Sequence, residues 1–324
     1  MNPPWLLRVG FRYLCRTLAS AMNSFRSGSL VGWILCLCFA TGSGNAWAEE
    51  TGSLIRIVSQ TVGTDELLLA VAAPEQIVAL SHLSRTKEFS AITKEAEDFP
   101  QLVFGGDAES ILKHKPTLVL FTDFSRSELV AQVKRAGVQV LIFNKYMKLE
   151  DAYDNLRMLG KAIDKEAEAR AEKVIAETQV RVASLQAKLK GKKTVRVLSP
   201  STYGVIPGDD TTFQDLCNHA GGENLAFTLG KLRGHATAPS EKILTWPVEK
   251  LVLAGNDQTG DAAISQTEID TAIAPFASLT PYKYMRSVKE KQVVLLKPWQ
   301  MGCFSHYRVE AYEQLARQLH PDRF

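Results

Sequence analysis

The chain has 324 residues, 45% apolar and 23% charged, with a formal net charge of +3, long enough for one or two domains with real cores. The positive excess sits in residues 1–48, which carry Arg8, Arg12, Arg16 and Arg26 and no acid. Without that segment 34 basic residues face 35 acidic ones, so no basic stripe remains for nucleic-acid binding and none is expected.

Residues 1–48 read as a cleaved signal peptide. The basic stretch precedes an apolar run at 30–40, and Ala46-Trp47-Ala48 supplies a small-x-small cleavage site. Starting at Met22 would give a leader of ordinary length, and the sequence leaves Met1 and Met22 both open. The apolar run is too short for a comfortable membrane span. Cys36 and Cys38 lack the small residues that a lipoprotein signal places before its cysteine. The expected product is a soluble exported protein. Of five cysteines, Cys217 and Cys303 remain after cleavage. In an oxidising compartment they can pair or stay separate thiols; a bridge across that loop would contribute on the order of 4 kcal/mol in the chain-entropy model.

Past the leader, strand and helix signals alternate. Residues 54–59 (LIRIVS) form a β-rich run, and a helix opens at Thr64, where Thr64, Asp65 and Glu66 supply a cap and first-turn acids. Strands follow at 77–80, 118–121 and 138–143, with helices at 107–114 and 125–136 and a polar irregular stretch at 81–99. Continuous apolar strands separated by helices indicate a parallel sheet covered on both faces.

Residues 149–193 are Pro-free and rich in charge, with apolar positions three or four apart. Gly160 and Asp164 interrupt the pattern, giving one helix at 149–162 and another at 165–190, the second about 39 Å long at about 1.5 Å per residue. The strand–helix grammar then restarts. Strands are expected at 195–199, 251–254 and 293–296, with helices at 213–220, beginning at 240–244 and at 308–319; a glycine-bearing loop occupies 202–212. The expected fold is α/β: two Rossmann-like lobes with parallel sheets, 49–162 and 193–324, joined by a single long helix within 163–192.

No G-x-S-x-G, H-E-x-x-H, C-x-x-C or P-loop occurs, so no catalytic residue is assigned. An exported enzyme using His82 or His306 as a base would lack a nucleophile and an orienting group. His82, His114, His219, His235, His306 and His320 are scattered, whereas a zinc site needs three or four converging ligands; no resident metal or cofactor is expected. In open α/β sheets ligands bind beyond the carboxyl ends of the strands. There the sequence places Thr61, His82, Arg85 and Phe124 in the first lobe, with Tyr203, Trp299, Cys303, His306 and Tyr307 in the second. Each can equally cap a helix or fill a loop. Together, aromatic and polar groups suit a bulky or flat ligand.

Several segments, taken in order, carry a family resemblance: RIVSQTVGTDELLLAVAAPEQIVALS, GGDAESILKHKPTLVLF (with Thr117 where Asp is usual), FQDLCNHAGGENLA, APSEKILTWPVEKLVLAG, SVKEKQVVLLKPW and LARQLHPDRF. Over 54–324 the chain resembles the periplasmic substrate-binding proteins of ABC importers for ferric siderophores, haem and cobalamin, the class III group with a helical backbone. The resemblance implies a monomer that captures a metal chelate between its lobes and delivers it to an inner-membrane permease driven by a cytoplasmic ATPase. An iron complex, ferric siderophore or haem, is the expected ligand, with cobalamin as the alternative. A ligand-free sensor on the same fold is a further alternative. The resemblance also places Glu109 and Glu241 where the family docks onto permease arginines, although each also suits a first helical turn.

Overall fold

The computed structural model describes residues 54–104, 106–256, 258–259 and 264–324; the expected signal peptide lies outside them. Among the described residues no helix is long and apolar enough to cross a membrane. In chain order the first half contains β1 (Ile57–Ser59), α1 (Val62–Val71), β2 (Ile77–Ala79), α2 (Ala108–Leu112), β3 (Leu118–Thr122), α3 (Ser127–Arg135), β4 (Gln139–Phe143) and α4 (Leu149–Ile163). Its strands form a parallel sheet in the order β2-β1-β3-β4. Every residue of β3 is buried, because helices cover both faces of the sheet and leave no solvent side for alternation.

Helix α5 (Lys165–Leu189) follows. The second half holds β5 (Val195–Leu198), β6 (Val205–Pro207), α6 (Thr212–Ala220), β7 (Gly222–Asn224), α7 (Leu225–Thr228), β8 (His235–Thr237), β9 (Lys250–Ala254), α8 (Gln266–Ser278), α9 (Arg286–Lys289), β10 (Val293–Leu296) and α10 (Arg308–Leu319). A second parallel sheet runs β10-β9-β5-β7, and β6 and β8 form a separate antiparallel pair. The expected two α/β lobes and long helix are present.

Several elements depart from the sequence expectation. The loop at 202–212 contains β6, whose partner β8 is its only reason to be extended. Strand β7 (GEN) has no β-forming residue and exists through its register with β5. Helix α8 contains Pro275, which masks its periodicity, yet Ser265 and Glu268 form a capping box at its start. The helix expected from 240 is only a 3₁₀ turn, Lys242–Thr245.

Helix α5 spans about 37 Å at about 1.5 Å per residue. Its buried edge reads Ala167, Ala171, Ile175, Thr178, Leu185 and Leu189. That edge joins one apolar core shared by Leu67, Leu68 and Leu120 of the first half and by Phe213, Leu216 and Leu315 of the second. Polar contacts divide the same way. Arg170 Nε donates to the Val71 carbonyl, while Arg181 grips the Glu313 carboxylate of α10 through two bonds of 3.0 and 2.9 Å. Asp164 ends α4 and caps α5, accepting from Ala167 N and from Gln76 Nε2, each at 2.7 Å. Gly160 allows the tight α4–α5 turn: a Cβ there would lie 2.9 Å from Glu168 Cα and 3.0 Å from the Ala167 carbonyl oxygen.

Gly160→Ala therefore lowers stability. Helix propensity favours Ala by about 1 kcal/mol, but the overlap is with backbone, and overpacking of that kind costs about 1–3 kcal/mol. Denaturant midpoints of the two proteins check this; an unchanged or raised midpoint would show that α5 can shift away at no cost.

Candidate functional site

The order β2-β1-β3-β4 puts the topological switch of the first sheet between β1 and β3, where a crevice forms beyond the carboxyl ends. There Ser125 Oγ donates to Gln60 Oε1 at 2.8 Å, and Thr61 caps α1 in a reciprocal box with Thr64. Three rings gather on this side: Phe124 after β3, Tyr146 after β4 and Phe304 after β10. Tyr146 and Phe304 stack with centroids 4.4 Å apart, and Phe124 meets each of them edge-on at 6.0 Å. Phe304 also lies against the start of α1, where a Cβ on Gly63 would be 2.9 Å from its ring. The loops of the two sheets thus meet in one aromatic floor.

Beneath that floor lies a polar seam. Glu66 of α1 accepts from Ser305 Oγ at 2.6 Å and from Ala91 N at 3.1 Å, with Cys303 Sγ at 3.7 Å. Burial pushes the Glu66 carboxyl up to about 7, with the hydrogen bonds from Ser305, Ala91 and Cys303 acting the other way. Its neighbour Asp65 accepts from Ser81 N and Oγ and is likewise pushed by burial to about 7. Arg308, only 3% exposed, donates from Nη1 to Asp215 Oδ2 at 3.1 Å and to the Met147 carbonyl at 3.0 Å. Its Nη2 donates to the carbonyls of Tyr146 and Cys303, both at 2.7 Å. Asp215 also accepts from the Tyr312 hydroxyl, and His219 stacks on Tyr312 at 4.4 Å.

The residues expected at the site separate into three groups. Phe124 (57% exposed) and Tyr203 (91% exposed) present open aromatic surface at strand ends. His82 is half-buried and meets Phe104 edge-on at 5.0 Å; Phe104 itself is 86% exposed. Thr61 and Arg85 have local duties. Thr61 is the α1 cap, and Arg85 donates to the carbonyls of Ala96, Glu97 and Phe99, pinning the 81–99 stretch. The remainder are enclosed. Trp299 is buried in a 3₁₀ turn after β10. His306 is buried with Nδ1 unpartnered, and burial, reinforced by the Arg181 charge, pushes it down to about 4, so it is neutral. Tyr307 packs on the His306 ring at 4.4 Å, and burial pushes its phenol up to about 12.

The pairing of Cys217 with Cys303 does not form: both are free and buried. Cys217 is held in the shared core on α6, while Cys303 faces Glu66 and Ser305 from the loop before α10. Burial pushes both thiols up, leaving them protonated and unreactive. Glu109 and Glu241 are both exposed, Glu109 in the first turn of α2 and Glu241 at the head of the 3₁₀ turn.

Sequence reasoning missed Tyr146, Glu66 and Arg308, and left Phe304 out of the site. The one available signal was charge within an apolar pattern. Glu66 precedes Leu67, Leu68 and Leu69, and Arg308 sits on the buried face of α10. A groove of about 690 Å³ lies elsewhere, bordered by Val195, Lys250 and Gln292. Those residues mark the amino ends of β5, β9 and β10, so the groove is on the side of the sheet opposite to the carboxyl-end loops.

The model of the periplasmic binding protein family matches residues 57–298. An uncharacterized ABC transporter substrate-binding lipoprotein YvrC of Bacillus subtilis (strain 168) is 22% identical over 279 residues, covering 83% of this chain and 81% of that one. Among solved structures, the apo form of the periplasmic heme-binding protein RhuT from Roseiflexus sp. RS-1 aligns with TM-score 0.67 and 18% identity, over 84% of this chain and all of that one. A periplasmic heme binding protein from Pseudomonas aeruginosa aligns with TM-score 0.65 and 20% identity, over 83% and 94%. At these identities the structural likeness concerns the fold.

Glu66 gives a pH signature. Its folded value of about 7 exceeds its ordinary 4.5, so its contribution to stability is full below about 4.5 and is lost as pH rises through about 7. Glu66→Gln removes that dependence. From pH 8 to pH 5 the wild type should gain on the variant by up to about 3 kcal/mol, read from denaturant midpoints. Parallel profiles would mean that Glu66 is ionised in the folded protein.

Proposed function

Because the chain belongs to the periplasmic binding protein family, we propose that it is the substrate-binding component of an ABC importer whose cargo is an iron complex, with haem the ligand its cleft suits best. The observation that carries the ligand reading is the aromatic surface at the strand ends. Phe104, Phe124 and Tyr203 are 86, 57 and 91% exposed, and Phe124 meets the stacked Tyr146 and Phe304 edge-on. Apolar surface of that kind marks a place that something covers, and flat rings match a porphyrin face. The Tyr203 phenol and the His82 imidazole are the candidate axial groups for its iron.

The arginines at hand support haem over a highly charged ferric siderophore. Arg85 is engaged by three carbonyls, Arg126 donates to the Gly106 carbonyl, and Arg233 pairs with Asp210 at 3.1 Å. The heme-binding proteins from Roseiflexus and Pseudomonas share the fold, which adds to the reading. The protein performs no chemistry of its own; it is exported by its leader, acts as a monomer, and docks through Glu109 and Glu241 onto arginines of the permease, which the ATPase drives. A rigid spine limits closure to a few degrees of flexing.

Titration of the purified protein with haem should give a saturable 1:1 Soret band, and His82→Ala or Tyr203→Phe should shift that band and weaken binding at least tenfold. Ferric siderophores and cobalamin are the comparison arms. Binding of one of these without haem would overturn the haem assignment, and binding of none would overturn the iron-complex reading.

Docking has a separate test. The double variant Glu109→Arg, Glu241→Arg should lose uptake at least tenfold while its affinity in solution stays unchanged. Normal uptake would remove these two residues from the docking surface.

A further inference from the structure

The floor of the cleft is built from two rings that come from different lobes. Tyr146 follows β4 and Phe304 follows β10, yet the rings stack at 4.4 Å and 24°. Ring stacking adds little beyond burial, and both rings are only half-buried. Something firmer must set their separation. A single nitrogen, Arg308 Nη2, donates to the Tyr146 carbonyl and to the Cys303 carbonyl, each at 2.7 Å. The first carbonyl belongs to one ring's own residue, and the second to the residue just before the other ring. Nη1 repeats the arrangement, joining the Met147 carbonyl to the Asp215 carboxylate of α6.

We propose that Arg308 is the positioning residue of the ligand cleft: its guanidinium fixes the backbones of Tyr146 and Phe304 so that their rings present one preset aromatic floor. This rests on the cleft being the ligand site. The planar fork of arginine suits the task, since it donates to four acceptors from three segments, more than the three donors of an ammonium can serve. Its charge is met by Asp215, which the Tyr312 hydroxyl holds in place. An apolar residue of similar volume would pack there without the desolvation penalty of a buried ion pair; what it could not do is set the two carbonyls at a fixed separation. Glu66 secures the same loop from the other side by accepting from Ser305. A floor fixed before binding spares the ligand the ordering cost of assembling it.

The test is a double-mutant cycle read by haem titration. Arg308→Lys keeps the charge beside Asp215 but cannot bridge the carbonyls, and should weaken binding about tenfold or more. Phe304→Ala should do the same. The double variant should lose less than the sum of the two single losses, because Arg308 acts in part through that ring and in part through Tyr146. Additive losses, or unchanged affinity in Arg308→Lys, overturn the proposal. Should Arg308→Lys not fold, Asp215→Asn takes its place in the cycle, loosening the guanidinium while keeping a neutral acceptor.

A second readout needs no ligand. In Arg308→Lys, amide hydrogen exchange should rise at least tenfold at 144–148 and 303–307, with the cores of both sheets unchanged. A uniform rise across the chain would mark Arg308 as a plain stability residue and overturn the proposal. If the wild type takes up no haem, the haem reading fails, and the exchange pattern still decides the role of Arg308.

Discussion

Helix α5 buries one edge along its whole length in a core that belongs to both sheets at once. Ala167, Ala171, Leu185 and Leu189 all belong to one apolar cluster that takes in residues of both halves. A helix that merely linked two domains would be solvated all round and free to swing. This one cannot move relative to either sheet without opening the core, which is close-packed and yields little. The described residues accordingly form one compact unit although they contain two separate parallel sheets. The cleft inherits its width from that helix, and the crossing at Gly160 sets where the helix begins.

A second constraint lies at the cleft itself and is polar. Two buried charged residues, Glu66 and Arg308, reach across between the lobes within a few residues of Phe304, one accepting and one donating. Burying such groups is costly unless each finds partners. Arg308 meets that cost with Asp215 and three carbonyls, whereas Glu66 meets it with hydrogen-bond donors and a raised affinity for its own proton. The apolar spine fixes the lobes away from the aromatic rings, and the polar seam fixes them beside those rings. Above both, the rings remain partly open to solvent, where a flat ligand would supply the missing contacts.

The parts of the site that were legible in the sequence are those whose position follows from chain direction alone. Phe124 and Tyr203 fall beyond strand ends, and a parallel sheet sends those ends to one side. Trp299, His306 and Arg85 occupy equivalent positions in the sequence, but their neighbours turn them inward or engage them with backbone carbonyls. Nothing in a local pattern separates an exposed aromatic from a buried one a few residues past a strand. Cys217 and Cys303 show the same limit, because compartment and count allow a bridge and only the placement of α6 and the loop before α10 keeps them apart.

By itself the sequence determined the two α/β halves, the order of most of their elements, the long helix and its break at Asp164. These follow from apolar period, caps and breakers, which act over a few residues. Tertiary structure decided what those signals leave open: that β6 and β7 are strands, that the cysteines are free, and that Tyr146 meets Phe304. For the last of these, the contacts responsible join residues 162 and 239 positions apart, Arg308 with Tyr146 and Ser305 with Glu66. At such separations no periodicity survives, and the partner of a buried charge is known only once the core around it has closed.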